Sequence, residues 1–458
     1  MVRRRGEQGI TLILSAMMFG LMIIPAAGLA VDAGLMYLVK VRLSAAADAA
    51  ALAGARAFSR GSAGPEQNAN AEATASTYFT ANYPAGYFWS FNPTISAVGA
   101  DEGNQMRSVT TQASVQLPML FMRIFRDNPS IIRARAKATR RDTNIMIVMD
   151  RSGSLANSGA CNPLKTAAAN FVEKFSEGRD NLGLITFATS SRIDRALSNT
   201  FKTSVRNTLT ALVCSGATNT AQGLWQGYEA LVTLNQPGAF NVIVLFSDGL
   251  PTAVTEDFPL VTAANGGTCT SPAPPGPIRG VLTVTTGGNP IGLYTWQAPA
   301  QPYSSDQNLV SNGTNCRFRS NQQNVAQDLQ YAPLTDIWGN SLNATGYRSV
   351  TMTGAGAQES SGSNITRFCT NAADHAGLRV RRGDTVPSLG RNLQVTIMTI
   401  GYGPDVDTTL MQRIANDPNL SPNPVAAGRQ GRYYYAGTAA ALDLAFTRVA
   451  SEVLRLAQ

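Results

Sequence analysis

The residues of this 458-residue chain with the clearest chemical potential begin where an apolar run ends. Asp150-Arg-Ser-Gly-Ser154 follows the strand-length apolar run 144–149. Such a run is typical of a strand buried on both faces of a parallel sheet. A carboxylate and two hydroxyls then stand at alternate positions of a loop that leaves the carboxyl end of that strand. Their three oxygens can converge on one hard cation.

Two later polar segments follow predicted elements in the same way. After a predicted strand at 182–187, Gly216-Ala-Thr-Asn-Thr-Ala-Gln-Gly-Leu224 places Thr218 in a glycine-bounded loop that opens a helix. The apolar run 241–246 predicts a further buried strand, and it ends in Ser247-Asp248-Gly249. In an open α/β sheet, loops at the carboxyl ends of the strands gather around a ligand.

The three segments occur in the order found in von Willebrand factor A (vWA) domains, and the first resembles their metal-ion-dependent adhesion site. The resemblance implies that two serines and a threonine bind the cation directly or through water, while the aspartates stabilise it and hold its waters. The implied ligand set is Asp150, Ser152, Ser154, Thr218 and Asp248. This hydroxyl-rich set suits Mg²⁺, with Mn²⁺ and Ca²⁺ as alternatives. An open coordination position would take a carboxylate from a partner protein. The alternative is a purely structural metal that only holds the three loops together.

The remaining pattern favours an α/β fold with a doubly wound, mainly parallel sheet, and residues 143–458 resemble a Rossmann-like vWA domain. Residues 392–400 form another apolar strand, followed by a helix at 407–416 and a short strand at 432–435. The terminal helix carries an apolar stripe to lie on the sheet, made of Leu442, Phe446, Val449, Val453 and Leu456. A long insertion, about 251–364, is expected to be β-rich or irregular and to shape partner choice or cover the metal.

The five cysteines contain no CxxC pair, so disulfides are expected in an exported chain. Cys161 and Cys214 lie in two of the metal loops, which should leave the same edge of the sheet. We therefore predict a Cys161–Cys214 disulfide. Cys269–Cys316 is the second predicted pair, so Cys369 has no predicted disulfide partner.

Composition argues against several functions. The single histidine, His375, limits imidazole-based chemistry, and it is expected to have an ordinary role on a helix surface. No general base is visible near the metal loops, so we expect no enzyme activity. The basic residues at 133, 135 and 137 alternate with alanines and lack aromatic companions. This pattern indicates a solvated strand face, and no nucleic-acid partner is expected.

The N-terminus predicts a membrane anchor. The uncharged run 10–31 would form a helix of roughly 33 Å, enough to span a bilayer. Arg3, Arg4 and Arg5 precede it, which places a tail of residues 1–9 in the cytoplasm and the rest outside. A cleaved signal peptide, with Gly28 and Ala30 at the site, is the rival interpretation. A type IV prepilin leader would cut after Gly9, but Leu14 stands where such helices carry glutamate.

The next segment, 32–59, is an alanine-rich helix whose small side chains let another helix approach closely. Its core at 44–56, with the preceding apolar helix, resembles the N-terminus of TadE/TadG-like proteins of Tad (Flp) pilus assembly. Residues 60–142 read as a small α+β spacer, with a helix near 68–82 and strands near 87–98, 107–117 and 131–139.

Together, the two resemblances imply a single-pass protein of the bacterial inner membrane that serves Tad-type pilus assembly. Its vWA domain would bind protein partners, pilus or envelope components, that offer an acidic residue to the metal. The alternative is a periplasmic or surface vWA adhesin unrelated to pili.

Overall fold

The computed structural model describes residues 7–58, 64–124, 128–258, 278–285, 290–295, 333–343, 346–353, 357–358, 362–420 and 428–457. The chain divides into two compact units, the first within Met1–Arg141 and the second formed by Asp142–Ala457.

The first unit packs two helices against a three-stranded antiparallel sheet of order β1-β2-β3. Its elements are α1 Glu7–Ala57, α2 Gly64–Asn82, β1 Phe91–Gly103, β2 Met106–Leu117 and β3 Ser130–Arg141. The first strand starts later than the predicted residue 87, because a 3-10 turn at Tyr87–Trp89 precedes it. The alanine-rich part of α1 supplies much of the core, and Ala47, Ala50 and Ala55 are fully buried.

The small-residue face of α1 allows the close approach that its composition predicts. A Cβ atom added to Gly54 would lie 2.9 Å from the Ala71 carbonyl oxygen of α2. Any larger side chain at Gly54 would therefore push the two helices apart.

Helix α1 begins in an apolar segment and runs through residue 31 without a break. It is long and apolar enough to cross a membrane, and the side chains of Leu12–Ile24 are largely exposed. A helix that is apolar on all sides needs apolar surroundings. The N-terminal part of α1 is therefore a candidate membrane anchor.

The second unit is built on a six-stranded sheet of order β14-β13-β7-β4-β5-β6. Neighbouring strands are parallel except β6, which runs antiparallel to β5. The strands are β4 Thr143–Asp150, β5 Asn181–Phe187, β6 Ser191–Ser198, β7 Phe240–Ser247, β13 Thr396–Tyr402 and β14 Tyr433–Ala436. This arrangement confirms the predicted α/β class with a mainly parallel sheet.

Helices cover both faces of that sheet. The helices are α3 Gly153–Asn157, α4 Cys161–Val172, α5 Lys202–Ala211, α6 Thr220–Leu234, α7 Gly362–Arg382, α8 Thr408–Ala415 and α9 Ala439–Leu456. One apolar core lies beneath α6, α7 and α8, and the other beneath α4, α5 and α9. Each face of the doubly wound sheet therefore has its own core.

Two predicted details differ from the structure. Strand β13 starts at Thr396 and not at 392, because the Tyr228 hydroxyl bonds the backbone N–H and carbonyl of Leu393 in place of a neighbouring strand. In α9, the predicted stripe is buried as far as Val453, whereas Leu456 is exposed because the helix ends there.

The described part of the predicted insertion is β-rich. It contains an antiparallel sheet of order β10-β9-β8 and a small hairpin, made of β8 Ala253–Phe258, β9 Ile278–Val284, β10 Pro290–Thr295, β11 Met352–Thr353 and β12 Ala357–Gln358. Val254, Leu282 and Leu342 are buried in the core beneath α7. This part of the insertion is therefore integral to the second unit.

Candidate functional site

The two aspartates of the site lie at the carboxyl ends of adjacent strands. Strand β4 ends at Asp150, and β7, its parallel neighbour, ends at Ser247 just before Asp248. The Asp150 carboxylate accepts one hydrogen bond from the Ser152 N–H (2.7 Å) and another from the Ser247 hydroxyl (2.7 Å). Asp150 is therefore fixed by both loops.

The serine hydroxyls turn toward Asp248. Ser154 Oγ donates to Asp248 Oδ1 at 2.8 Å, Ser152 Oγ lies 3.4 Å from the same atom, and the two hydroxyls are 2.9 Å apart. Ser152 precedes α3 at the N-cap position, but its hydroxyl makes no capping bond. An N-cap serine would usually bond the helix backbone. Here the Ser152 hydroxyl instead lies beside Ser154 and Asp248.

The third loop is tied to the first through backbone bonds. Gly216 has φ +93°, and its carbonyl accepts from the Gly153 N–H at 2.9 Å. The Thr218 N–H donates to Thr252 Oγ1 at 3.0 Å, and the Thr218 carbonyl accepts from the Thr252 N–H at 2.9 Å. Thr218 is therefore held rigidly just before α6.

A cavity of about 680 Å³ opens at this edge of the sheet. Four of the predicted ligand residues line it, namely Ser152, Ser154, Thr218 and Asp248. Asp150 lies beneath them, fully buried. The structure thus brings the five predicted residues together at one place.

A disulfide joins Cys161, the first residue of α4, to Cys214, which precedes the Thr218 loop; their Cα atoms are 6.2 Å apart. This is the pairing that the two loops predict. The other predicted pair, Cys269–Cys316, lies outside the described residues. Cys369 is buried in α7 and forms no disulfide within the described part of the chain.

Two family models match parts of this chain. Residues 145–250 match the family model of the von Willebrand factor type A domain. Residues 9–57 match the family described as putative Flp pilus-assembly TadE/G-like. The chain joins a TadE/G-like segment to a vWA domain.

Individual relatives are distant. Calcium-activated chloride channel regulator 3A-1 of Mus musculus is 26% identical over 121 residues, which are 26% of this chain and only 13% of that relative's length. Among solved structures, the vWF domain of the type V pili tip protein Mfa5 from Porphyromonas gingivalis is similar at 16% identity (TM-score 0.38; 70% of this chain and 98% of that chain covered). The pilus adhesin SpaC from Lactobacillus rhamnosus GG is similar at 15% identity (TM-score 0.36; 80% and 35% covered).

Burial raises the pKa values of both aspartates in the vWA site, which is the set Asp150, Ser152, Ser154, Thr218 and Asp248. Desolvation, with the nearby Asp248 charge, raises the pKa of Asp150 to about 7, although the hydrogen bonds from Ser152 and Ser247 act in the opposite direction. Desolvation also raises the pKa of Asp248, and Asp405 adds to this effect. Two carboxyl groups in a poorly hydrated site favour either protons or a cation.

The donor set fits a hard cation. Carboxylate and hydroxyl oxygens are ligands that Mg²⁺ and Ca²⁺ accept. Among the described residues, no group of three or more His, Cys, Asp and Glu side chains is placed to hold a metal. The vWA site differs from such clusters, because hydroxyls outnumber carboxylates in it.

Several walls of the cavity are formed by residues that the sequence did not single out. Asp405 lines it from the loop after β13, and Thr283 and Tyr294 line it from the insertion strands β9 and β10. Asp405 had a recognisable signal, since it follows a predicted buried strand of the same sheet. Thr283 and Tyr294 had none, because their position depends on how the insertion folds back.

His375 lies away from this cavity. It is half-buried on α7, where its Nδ1 accepts a hydrogen bond from the Ser341 N–H at 3.0 Å. Burial and the nearby charges of Arg379 and Arg382 lower its pKa. Its role is therefore to hold a segment of the insertion against α7, and it is more enclosed than the predicted surface residue.

Proposed function

We propose that this chain is a membrane-anchored envelope protein of Tad (Flp)-type pilus assembly whose vWA domain binds partner proteins through a cation. The observation that carries the proposal is the convergence of Ser152, Ser154 and Asp248 at the mouth of a cavity, in a chain that begins with a TadE/G-like helix. We propose binding and not catalysis.

Mg²⁺ is the proposed cation, with Mn²⁺ or Ca²⁺ as alternatives. The hydroxyls of Ser152, Ser154 and Thr218 would hold it, and Asp150 and Asp248 would hold its waters. When bound, the cation supplies a positive centre that can accept a carboxylate from a partner. Because its direct ligands would be neutral hydroxyls and the aspartates would act through water, the cation would remain attractive to an acidic side chain.

The protein positions this centre with three loops that are already ordered. The Gly153 N–H to Gly216 carbonyl bond joins the first and third loops, and the Cys161–Cys214 disulfide joins the same two segments of chain. A partner that binds a preorganised site loses less conformational entropy. The acidic partner group would enter beside Thr283 and Tyr294, which line the cavity.

The proposed location is the bacterial inner membrane, with the N-terminus in the cytoplasm and the vWA domain outside it. The arginines at residues 3–5 support that orientation. A structural disulfide next to the metal loops also supports an oxidising compartment.

The test uses the full chain in lipid nanodiscs and measures Mg²⁺ and Mn²⁺ binding by calorimetry. The double variant Ser152→Ala, Ser154→Ala is compared with Ser451→Ala, an exposed serine of α9. We expect saturable binding in the wild type and the control, and its loss in the double variant. Equal binding in all three proteins would refute the metal site.

Pilus involvement is tested separately. Co-expressed pilus components are crosslinked to the full chain, and the captured proteins are compared with and without EDTA. Capture that needs both the metal and the serines supports the proposal. If pilus components were captured equally with and without EDTA, a role in the pilus would stand, but binding through a cation would be refuted.

A further inference from the structure

Exposed apolar side chains occur at one end of the first unit, outside the candidate membrane helix. In the segment 118–124 after β2, Leu120 is 48% exposed, Phe121 43% and Met122 36%. Three consecutive apolar side chains on a loop surface are unusual in a monomeric soluble unit. Such an exposed apolar cluster marks a surface that contacts another apolar surface.

The position of this loop is fixed by Asp32, which follows the apolar run of α1. The Asp32 carboxylate accepts hydrogen bonds from three consecutive backbone N–H groups, those of Leu120 (2.9 Å), Phe121 (3.1 Å) and Met122 (2.8 Å). Phe121 also packs on Gly28, where an added Cβ would lie 2.7 Å from the Phe121 Cβ. The loop therefore sits level with residues 28–32, where the apolar run of α1 ends.

A second exposed group lies at the same end of the sheet. Phe88, Trp89 and Phe91 are exposed, and Trp89 retains 64% of its surface. Phe91 pairs with Gln116, near the end of β2 and just before the Leu120 loop. The opposite end of the sheet is the hairpin between Gly103 and Met106.

The backbone at Phe88 and Trp89 is strained, which indicates that the exposed position of these two rings is functional. Phe88 and Trp89 have φ values of 45° and 61°, which large side chains rarely adopt. Neither ring is buried in the core of the unit, and the Phe88 ring packs edge-on against Tyr87 with the ring centroids 4.8 Å apart. Strain of this kind is typical of functional positions.

We propose, resting on the membrane anchoring proposed above, that these six side chains form a collar that enters the interfacial layer of the lipid bilayer around α1. The collar consists of Phe88, Trp89, Phe91, Leu120, Phe121 and Met122. Its apolar surface continues that of the exposed helix segment Leu12–Val31, and tryptophan is enriched at membrane interfaces. This continuity favours lipid over a protein partner.

Two exposed arginines near the collar could contact phospholipid headgroups. Arg123 is exposed in the same loop, and Arg133 is exposed on β3 close to its start. Lys40 of α1 donates to the Arg133 carbonyl, which ties this part of the strand to the helix. Cationic side chains just above an apolar insertion are attracted to anionic lipid.

The experiment places the full chain in vesicles of phosphatidylcholine and phosphatidylglycerol that carry bromine at a shallow acyl position. Phe121→Trp is compared with Val98→Trp, which puts the same probe at an exposed site farther along β1. We expect bromolipid to quench most of the emission added at position 121 and little of that added at position 98.

Trp89→Phe provides a second test that adds no bulk to the collar. We expect it to reduce the bromolipid-quenched fraction of the wild-type emission. Equal quenching at positions 121 and 98, with no effect of Trp89→Phe, would overturn the proposal. A blue-shifted but unquenched probe at position 121 would also overturn it, because the collar would then be covered by protein.

Discussion

The Ser154 hydroxyl donates to Asp248 Oδ1 at 2.8 Å, although 94 residues separate the two in the chain. The bond joins the loop after β4 to the loop after β7 at the edge of the sheet. Because both oxygens would otherwise need water or a ligand, the pair marks the point where a cation would enter.

Asp150→Asn should weaken Mg²⁺ binding by about 10–100-fold, the usual effect of changing a group that orients metal ligands. The substitution keeps the side-chain shape but removes the negative charge beneath the serines. Calorimetry on the full chain in nanodiscs measures the change. Asp443→Asn is the matched control, since Asp443 bonds Asn170 on an exposed surface. A similar loss in both variants would contradict a specific role for Asp150.

The stability of the metal-free protein should fall as pH rises from about 4 to about 7. The pKa of Asp150 is raised to about 7 in the folded state, above its usual value of 3.8. The folded state therefore binds this proton more strongly than the unfolded state, so deprotonation on raising the pH destabilises the fold. Thermal unfolding in EDTA across this pH range tests the trend.

Asp336, with a pKa raised to about 6 by burial, contributes in the same direction. The decisive comparison is therefore wild type against Asp150→Asn, which should show a flatter dependence. Mg²⁺ should also stabilise the wild type more at pH 7.5 than at pH 5. An identical slope in the two proteins would show that Asp150 does not titrate in this range.

Removal of the Cys161–Cys214 disulfide should lower the free energy of unfolding by about 2–5 kcal/mol. The double variant Cys161→Ala, Cys214→Ala frees a loop whose ends are 53 residues apart. It should also weaken Mg²⁺ binding, since the bridge holds two of the site loops. Urea unfolding of the full chain in detergent, read by near-UV circular dichroism, measures the first effect. Unchanged stability and affinity would mean that backbone bonds alone fix the loops.

Gly216→Ala should destabilise the protein by about 1–3 kcal/mol because a non-glycine residue is strained at positive φ. The new Cβ would also lie 2.9 Å from Thr189 Oγ1, so the Thr218 loop should shift and lose metal affinity. Gly390→Ala is the matched control, with φ +60° and no atom within 4 Å. It should show the backbone effect with normal Mg²⁺ binding. Equal loss of binding in both would exclude the contact with Thr189 as the cause.

The elements that could be predicted from the sequence are those in which burial dictates the residue type. Strands β4 and β7 are buried on both faces, which produces the apolar runs that predicted them. The loops that follow were located because polar residues interrupt those runs. The partly exposed edge strand β6 has no such run, and it was not predicted.

Long-range contacts explain the features that the sequence did not predict. The Tyr228 hydroxyl binds Leu393 across 165 residues and delays the start of β13. Thr283 and Tyr294 reach the cavity only because the insertion strands pack beside Thr252. Local patterns do not encode these distant partners.

The unbroken course of α1 has a mechanical consequence. A single helix from Glu7 to Ala57 forms both the apolar segment and the central support of the β1–β3 sheet. Because the helix is continuous between the two, a pull on the sheet would reach the apolar segment, the candidate membrane anchor, directly. Pro25, the usual cause of a helix bend, lies inside the apolar run. Bending under load would therefore take place within the apolar run and leave the support rigid.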